Sequence, residues 1–187
     1  MFFTGYFKKT GESYENRKRY ITIKIPNWEV DYIFREKVLN WFDEKIKETD
    51  RSALFAAIVT GDTETFTREL QGLLQQTISF HDFYENFYHG FVAGVLTGIK
   101  GYIIKSNREG GKGRSDIFIS PISREEEAFV LEFKVATSIG ELQGKAKEAV
   151  QQIVDRKYEQ ELRDLGYIKI KRYGIAFFAK DCLVISE

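Results

Sequence analysis

The sequence predicts an α/β protein: a mixed β-sheet flanked by helices, with a small N-terminal hairpin and helical subdomain. Three observations predict it. Apolar residues recur at helical spacing between residues 28 and 99. From residue 101 the period shortens to that of strands. A second helical stripe at 142–165 then interrupts the strands, giving the order helix, three strands, helix, strands from residue 80 onward.

The first elements are strands. Tyr20-Ile21-Thr22-Ile23-Lys24-Ile25 alternates and is rich in β-branched residues. Polar residues 11–19 form the expected loop of a hairpin with Thr4–Lys9, and Pro26-Asn27 ends it. Val30, Ile33, Phe34, Val38, Trp41 and Phe42 share one helical face, and Leu54, Phe55, Ile58 and Val59 mark a second helix. Gly61-Asp62 closes that helix and caps the next, whose stripe is Phe66, Leu70, Leu73 and Leu74. Ser79 with Asp82 reads as a capping box. It opens a helix in which Phe83, Phe87, Phe91, Val95 and Ile99 recur every four residues, as do Gly90, Gly94 and Gly98, a smooth face for a close neighbour. Strands are expected at Tyr102–Asn107, Arg114–Ile119 and Ala128–Val135. Ser138 with Glu141 suggests a capping box for one helix running to Gly166, with strands at Tyr167–Ile170, Tyr173–Phe178 and Cys182–Ile185 after it.

Composition narrows the function classes. Of 187 residues 43% are apolar, with 16 Phe and 10 Tyr, enough to bury a core. Lys plus Arg and Asp plus Glu balance at 28 each, which excludes a surface that attracts nucleic acid everywhere but not a local basic groove. A single cysteine, Cys182, excludes an internal disulfide and fits a reducing cytoplasm. No run of 18 apolar residues exists, so no transmembrane helix is expected. The N-terminus lacks the pattern of a secretion signal and opens directly in a strand-like pattern, as a segment cut from a longer protein would.

The chemistry concentrates in the middle strands. Val130-Leu131-Glu132-Phe133-Lys134-Val135 is a buried-strand pattern broken by two charges two residues apart, which therefore point to one face. Buried unpaired, each would cost several kcal/mol. Asp116 lies sixteen residues before Glu132, and a hairpin between their strands would set the carboxylates across from one another. A divalent cation relieves their repulsion: Mg²⁺ takes one or two carboxylates, with waters and substrate phosphate completing its shell. A neighbouring lysine can orient the attacking water or hold the phosphate. The spacing alone is equally compatible with a structural Glu132–Lys134 pair on the solvent face of an edge strand.

Asp116 followed by Glu132-Phe133-Lys134, after a helix and strand and before a long helix, resembles the PD-(D/E)xK nuclease superfamily. Residues 81–91 (His-Asp-Phe-Tyr-Glu-Asn-Phe-Tyr-His-Gly-Phe), Ser106-Asn107-Arg108-Glu109-Gly110, Gly113-Arg114-Ser115-Asp116 and Tyr173-Gly174-Ile175-Ala176-Phe177 look like the nuclease-like C-terminal domain of bacterial AAA-ATPase-like proteins. The resemblance implies a restriction-endonuclease-like fold in residues 80–187. Residues 1–79 would be the tail of an ATPase-like region and its connector. It implies a cytoplasmic enzyme that hydrolyses phosphodiester bonds in DNA, with RNA as the alternative, using Mg²⁺ or Mn²⁺. Asp116 and Glu132 would hold the metal, aided by Glu85 and the Phe133 carbonyl, and Lys134 would serve as the catalytic lysine. Gln152 resembles the glutamine of a motif in RecB-like members, but the tyrosine expected four residues on is replaced by Arg156, with Tyr158 nearby. Ser115 stands where the family name has proline. Arg108, Lys112 and Arg114, in a glycine-rich stretch before Asp116, together with Gln152, are the expected nucleic-acid contacts. The alternative is a non-catalytic module that binds nucleic acid or regulates an associated AAA-ATPase-like domain. Tyr84 and Tyr88 fit base stacking, but core or surface packing is the simpler reading of both, and His89, four residues after Glu85, fits a polar contact in a packed helix.

Overall fold

The computed structural model describes residues 8–15, 18–24, 49–77, 85–106 and 116–187. Expectations for 25–48, for the capping box at Ser79 and Asp82, for Tyr84, and for Arg108, Lys112 and Arg114 lie outside these residues, as does the side chain of Glu85. Two compact units are present, Met1–Glu48 and Thr49–Glu187.

In the first unit, β1 (Lys8–Glu15) pairs antiparallel with β2 (Lys18–Lys24), from Lys8 opposite Lys24 to Glu15 opposite Lys18, with a bulge between Lys9 and Gly11. The expected loop at 11–19 is thus mostly strand. Its polar residues misled because this two-stranded ribbon is solvated: Tyr14 is 71% exposed, and Glu12 is tied to Lys9, Arg19 and Tyr14.

The second unit holds α1 (Ser52–Thr60), α2 (Thr63–Thr77), α3 (Glu85–Leu96), β3 (Tyr102–Ser106), β4 (Ile117–Pro121), β5 (Ala128–Val135), α4 (Leu142–Arg156), α5 (Gln160–Asp164), β6 (Ile170–Phe178) and β7 (Asp181–Ser186). The five strands form one mixed sheet in sequence order, β3-β4-β5-β6-β7, antiparallel except for the parallel β5–β6 pair. Parallel neighbours need a crossover, and α4 and α5 supply it. β5 is therefore central, and its run Ala128–Phe133 is fully buried. No helix among the described residues is long and apolar enough to cross a membrane.

Alternation assigns the two faces of the sheet. Ala128 and Val130 pack with Phe118, Ile153, Tyr158 and Leu162, so the even positions of β4 and β5 face α4 and α5. The odd positions face the earlier helices: Phe66 of α2 lies edge-on to Tyr173 at 5.4 Å, and Tyr88 of α3 stacks on Phe177 at 4.4 Å. Tyr88 is a core residue. Its hydroxyl donates to the Ala179 carbonyl at 2.9 Å, and burial raises its pKa to about 12. Cys182 is buried as well, its thiol pushed up to about 12 by desolvation. As expected, Gly61 ends α1 in the left-handed conformation and Asp62 caps α2, accepting from the Thr65 N–H at 3.0 Å.

Three other expectations change. The single helix over 142–165 is two, because Lys157 adopts φ +52° and closes α4 with N–H bonds to Ile153 and Val154. The expected capping box at Ser138 is not formed, since Glu141 accepts instead from the N–H and hydroxyl of Thr137, each at 2.9 Å. The strands expected at Tyr167–Ile170 and Tyr173–Phe178 give way to one, Ile170–Phe178, in which Lys171 and Arg172 are accommodated by ion pairs with Glu127 at 2.8 Å and Glu159 at 2.6 Å. Nor do Gly90 and Gly98 mark a close approach: a Cβ on either would meet nothing within 4 Å.

Lys157 carries a conformation that glycine adopts without steric cost. Lys157→Gly is expected to stabilise the protein by about 0.5–1 kcal/mol in denaturant melts. An equal loss would mean that the lysine side chain matters more than its backbone.

Candidate active site

Asp116 directly precedes β4. The register Ile117 opposite Leu131, carried one step further, sets it across from Glu132. The two also meet by hydrogen bonds. The Asp116 N–H donates to Glu132 Oε2 at 3.3 Å, and the Phe133 N–H donates to Asp116 Oδ2 at 2.7 Å. Asp116 thus bonds a main-chain donor of β5 where the ladder between the strands has stopped. Even numbering puts Asp116, Glu132 and Lys134 on the face that α4 covers.

Glu132 is only 4% exposed, in the central strand rather than on a solvated edge. A carboxylate there is tolerable because its oxygens are engaged. Oε2 takes the Asp116 N–H, and Oε1 takes the Gln152 side-chain N–H. Gln152 also accepts from the Lys134 ammonium at 2.5 Å and donates to the Tyr158 hydroxyl at 3.2 Å. Lys134 Nζ stands 3.8 Å from Glu132 Oε1. One amide therefore holds both charged groups of β5 in a fixed relation. The αL turn at Lys157 brings Tyr158 back onto Gln152 from six residues on, adding a third contact to the same amide.

α4 can reach Glu132 because of Gly174, its partner on β6. A Cβ at Gly174 would lie 2.2 Å from the Ala146 carbonyl and 2.9 Å from the Val150 N. Only a missing side chain lets the helix backbone come so near. The isolated glycine inside an apolar strand is the signal that could have announced this contact. Beyond Gln152, a groove of about 320 Å³ runs along α4, lined by Glu148, Gln151, Gln152, Asp155 and Arg156. Lys145 holds the Glu148 carboxyl below the usual carboxylate range, with a smaller contribution from the charge of Lys134.

On the other side, His89 is 6% exposed, its Nε2 3.0 Å from the Asp116 carbonyl and 3.3 Å from Ser106 Oγ, and its ring edge-on to Phe133 at 6.0 Å.

The structure thus brings together four residues singled out from sequence: Asp116, Glu132, Lys134 and Gln152. Glu85 belongs to the first turn of α3, four residues before His89, and its carboxylate lies outside the described residues. Lys105, near the end of β3, is ion-paired with Glu161. Among the described residues no three His, Cys, Asp or Glu side chains gather into a metal-binding group. Among the described residues, Asp116 and Glu132 bring two carboxylates together there, hard-oxygen groups of the kind a divalent cation takes alongside water and phosphate.

Residues 83–187, from α3 through β7, match the family model of the PD-(D/E)XK nuclease superfamily. The mixed helix-flanked sheet in this region is consistent with a restriction-endonuclease-like fold. No curated protein matches the chain.

Proposed function

Because the chain belongs to the PD-(D/E)XK nuclease superfamily, we propose that it is a divalent-metal-dependent nuclease acting on DNA, with RNA sharing the same phosphodiester chemistry. The observation that carries this reading is the placement of Asp116, Glu132 and Lys134 at adjacent positions on one face, around the central strand.

In this reading Asp116 and Glu132 hold the cation, with Glu85 and the Phe133 carbonyl as further oxygen donors. When bound, the ion supplies Lewis acidity toward a phosphoryl oxygen and a water. Lys134 orients the attacking water or binds a non-bridging phosphate oxygen with its ammonium protons. Gln152 sets the direction of that ammonium, so its contribution to nucleic-acid binding runs through Lys134. Arg108, Lys112 and Arg114 are proposed to meet the phosphate backbone, giving a salt-sensitive affinity. The resemblance to C-terminal domains of bacterial AAA-ATPase-like proteins supports a further element. Residues 80–187 would act in the cytoplasm as the nuclease-like domain of a polypeptide that also carries an ATPase-like region.

Mn²⁺ titration followed by thermal melting tests the metal site. At a hundredfold excess over Kd the ion should stabilise the wild-type chain by about 2.7 kcal/mol. Asp116→Asn should abolish that gain. An equal gain in the variant would remove Asp116 from the site. No gain in either chain would favour the non-catalytic nucleic-acid-binding or regulatory module.

A further inference from the structure

His89 and Glu132 are the two buried polar or charged side chains among the described residues, 6% and 4% exposed, and both bond the main chain of Asp116. Glu132 Oε2 takes its N–H and His89 Nε2 its carbonyl, at 3.3 and 3.0 Å. Nothing in the proposed mechanism uses His89. A carbonyl oxygen only accepts, so Nε2 carries the proton in this contact, and Ser106 Oγ shares it as a second acceptor at 3.3 Å. Ser106 ends β3 and Asp116 precedes β4, so one imidazole N–H grips the chain on both sides of the nine residues 107–115. Packing of the ring against Phe133 fixes where that N–H points.

We propose that His89 is a positioning residue: by bonding the Asp116 carbonyl it fixes the peptide from which the Asp116 carboxylate projects, and so sets the affinity of the site for its divalent ion. The proposal rests on the reading of Asp116 as a metal ligand. Its physical content is orientation, not charge. The carboxylate is held at Oδ2 by the Phe133 N–H and the Asp116 N–H by Glu132 Oε2, and the bond from His89 to the carbonyl anchors the third polar group of the residue. His89 holds the Asp116 carbonyl from the α3 side at 3.0 Å. Partners of metal ligands that act in this way typically contribute one to two orders of magnitude to affinity.

The test is Mn²⁺ binding to the full chain, read from the loss of the free-ion electron paramagnetic resonance signal. His89→Leu keeps the volume and removes the donor, and should weaken binding by about 10–100-fold. His89→Gln places an amide N–H the same number of bonds from Cβ as Nε2, and should bind within about threefold of wild type, or ~0.6 kcal/mol. His89→Asn is equally polar but too short, and should resemble His89→Leu. If His89→Leu does not fold, the contrast between Gln and Asn decides alone. Wild-type affinity in His89→Leu, or equal weakening in Gln and Asn, would overturn the proposal. Asp116→Asn separates the two readings. If it binds Mn²⁺ as wild type does, the metal-site reading fails whatever His89 does. If it loses Mn²⁺ while His89→Leu retains it, only the positioning role fails.

Discussion

Lys134→Ala is expected to lower Mg²⁺-dependent cleavage by about 10²–10⁴-fold, the usual contribution of a group that manages protons or charge in the transition state. Metal binding should survive. The ammonium is 3.8 Å from Glu132 Oε1 and competes with a cation for that carboxylate, so its removal should leave Mn²⁺ affinity unchanged or improved. Glu132 keeps Gln152 and the Asp116 N–H as partners, so the loss is catalytic rather than structural. Single-turnover cleavage of labelled DNA and RNA, beside the Mn²⁺ melting shift, separates these effects. A chain that cleaves neither nucleic acid, with no change on Lys134→Ala, would sink the nuclease reading. Cleavage retained at the wild-type rate would acquit the lysine alone.

The largest structural effect is expected at Gly174. Its missing Cβ is the space through which α4 lies against β6, and a methyl there would sit 2.2 Å from a backbone oxygen that has no rotamer to change. The helix must lift or the strand must bend. Gly174→Ala should cost about 1–3 kcal/mol and Gly174→Val more, as overpacked cores do. Because α4 carries Gln152, lifting it also parts the amide from Glu132 and Lys134. Activity should therefore fall further than the loss of folded protein explains. Denaturant melts and cleavage per folded molecule measure the two parts. A Gly174→Ala protein as stable and active as wild type would show that the close approach carries no function.

These expectations show where the sequence was readable. β5 was placed at Ala128–Val135 from its apolar run, because a central strand has no solvated side to dilute the pattern. The pairing of Asp116 with Glu132 followed from a hairpin and the two-residue period. Features set by contacts distant in sequence were hidden. A lysine at position 157 carries no signal for a left-handed turn, so α4 and α5 read as one helix, and Tyr158 seemed out of place for a partner of Gln152. Lys171 and Arg172 fell between two expected strands because Glu127 and Glu159, their counter-charges, arrive from elsewhere in the chain. In the solvated β1–β2 ribbon, β1 carries almost no apolar alternation, unlike β2. Charge and exposure there say loop, while the ladder of backbone bonds says strand.

The β4–β5 hairpin has a consequence for how such chains diverge. Asp116 and Glu132 are joined through a connection at 122–127 that lies at the far end of both strands, with Ile122 to Glu126 exposed. Insertions or deletions confined to that connection change the count of residues between the two acids without moving either. A one-residue deletion inside β4 changes the count as little as possible yet turns Asp116 to the opposite face. Descendants of this hairpin are therefore free to drift in motif spacing but not in strand parity, and a search for relatives by fixed spacing would discard chains whose geometry is intact.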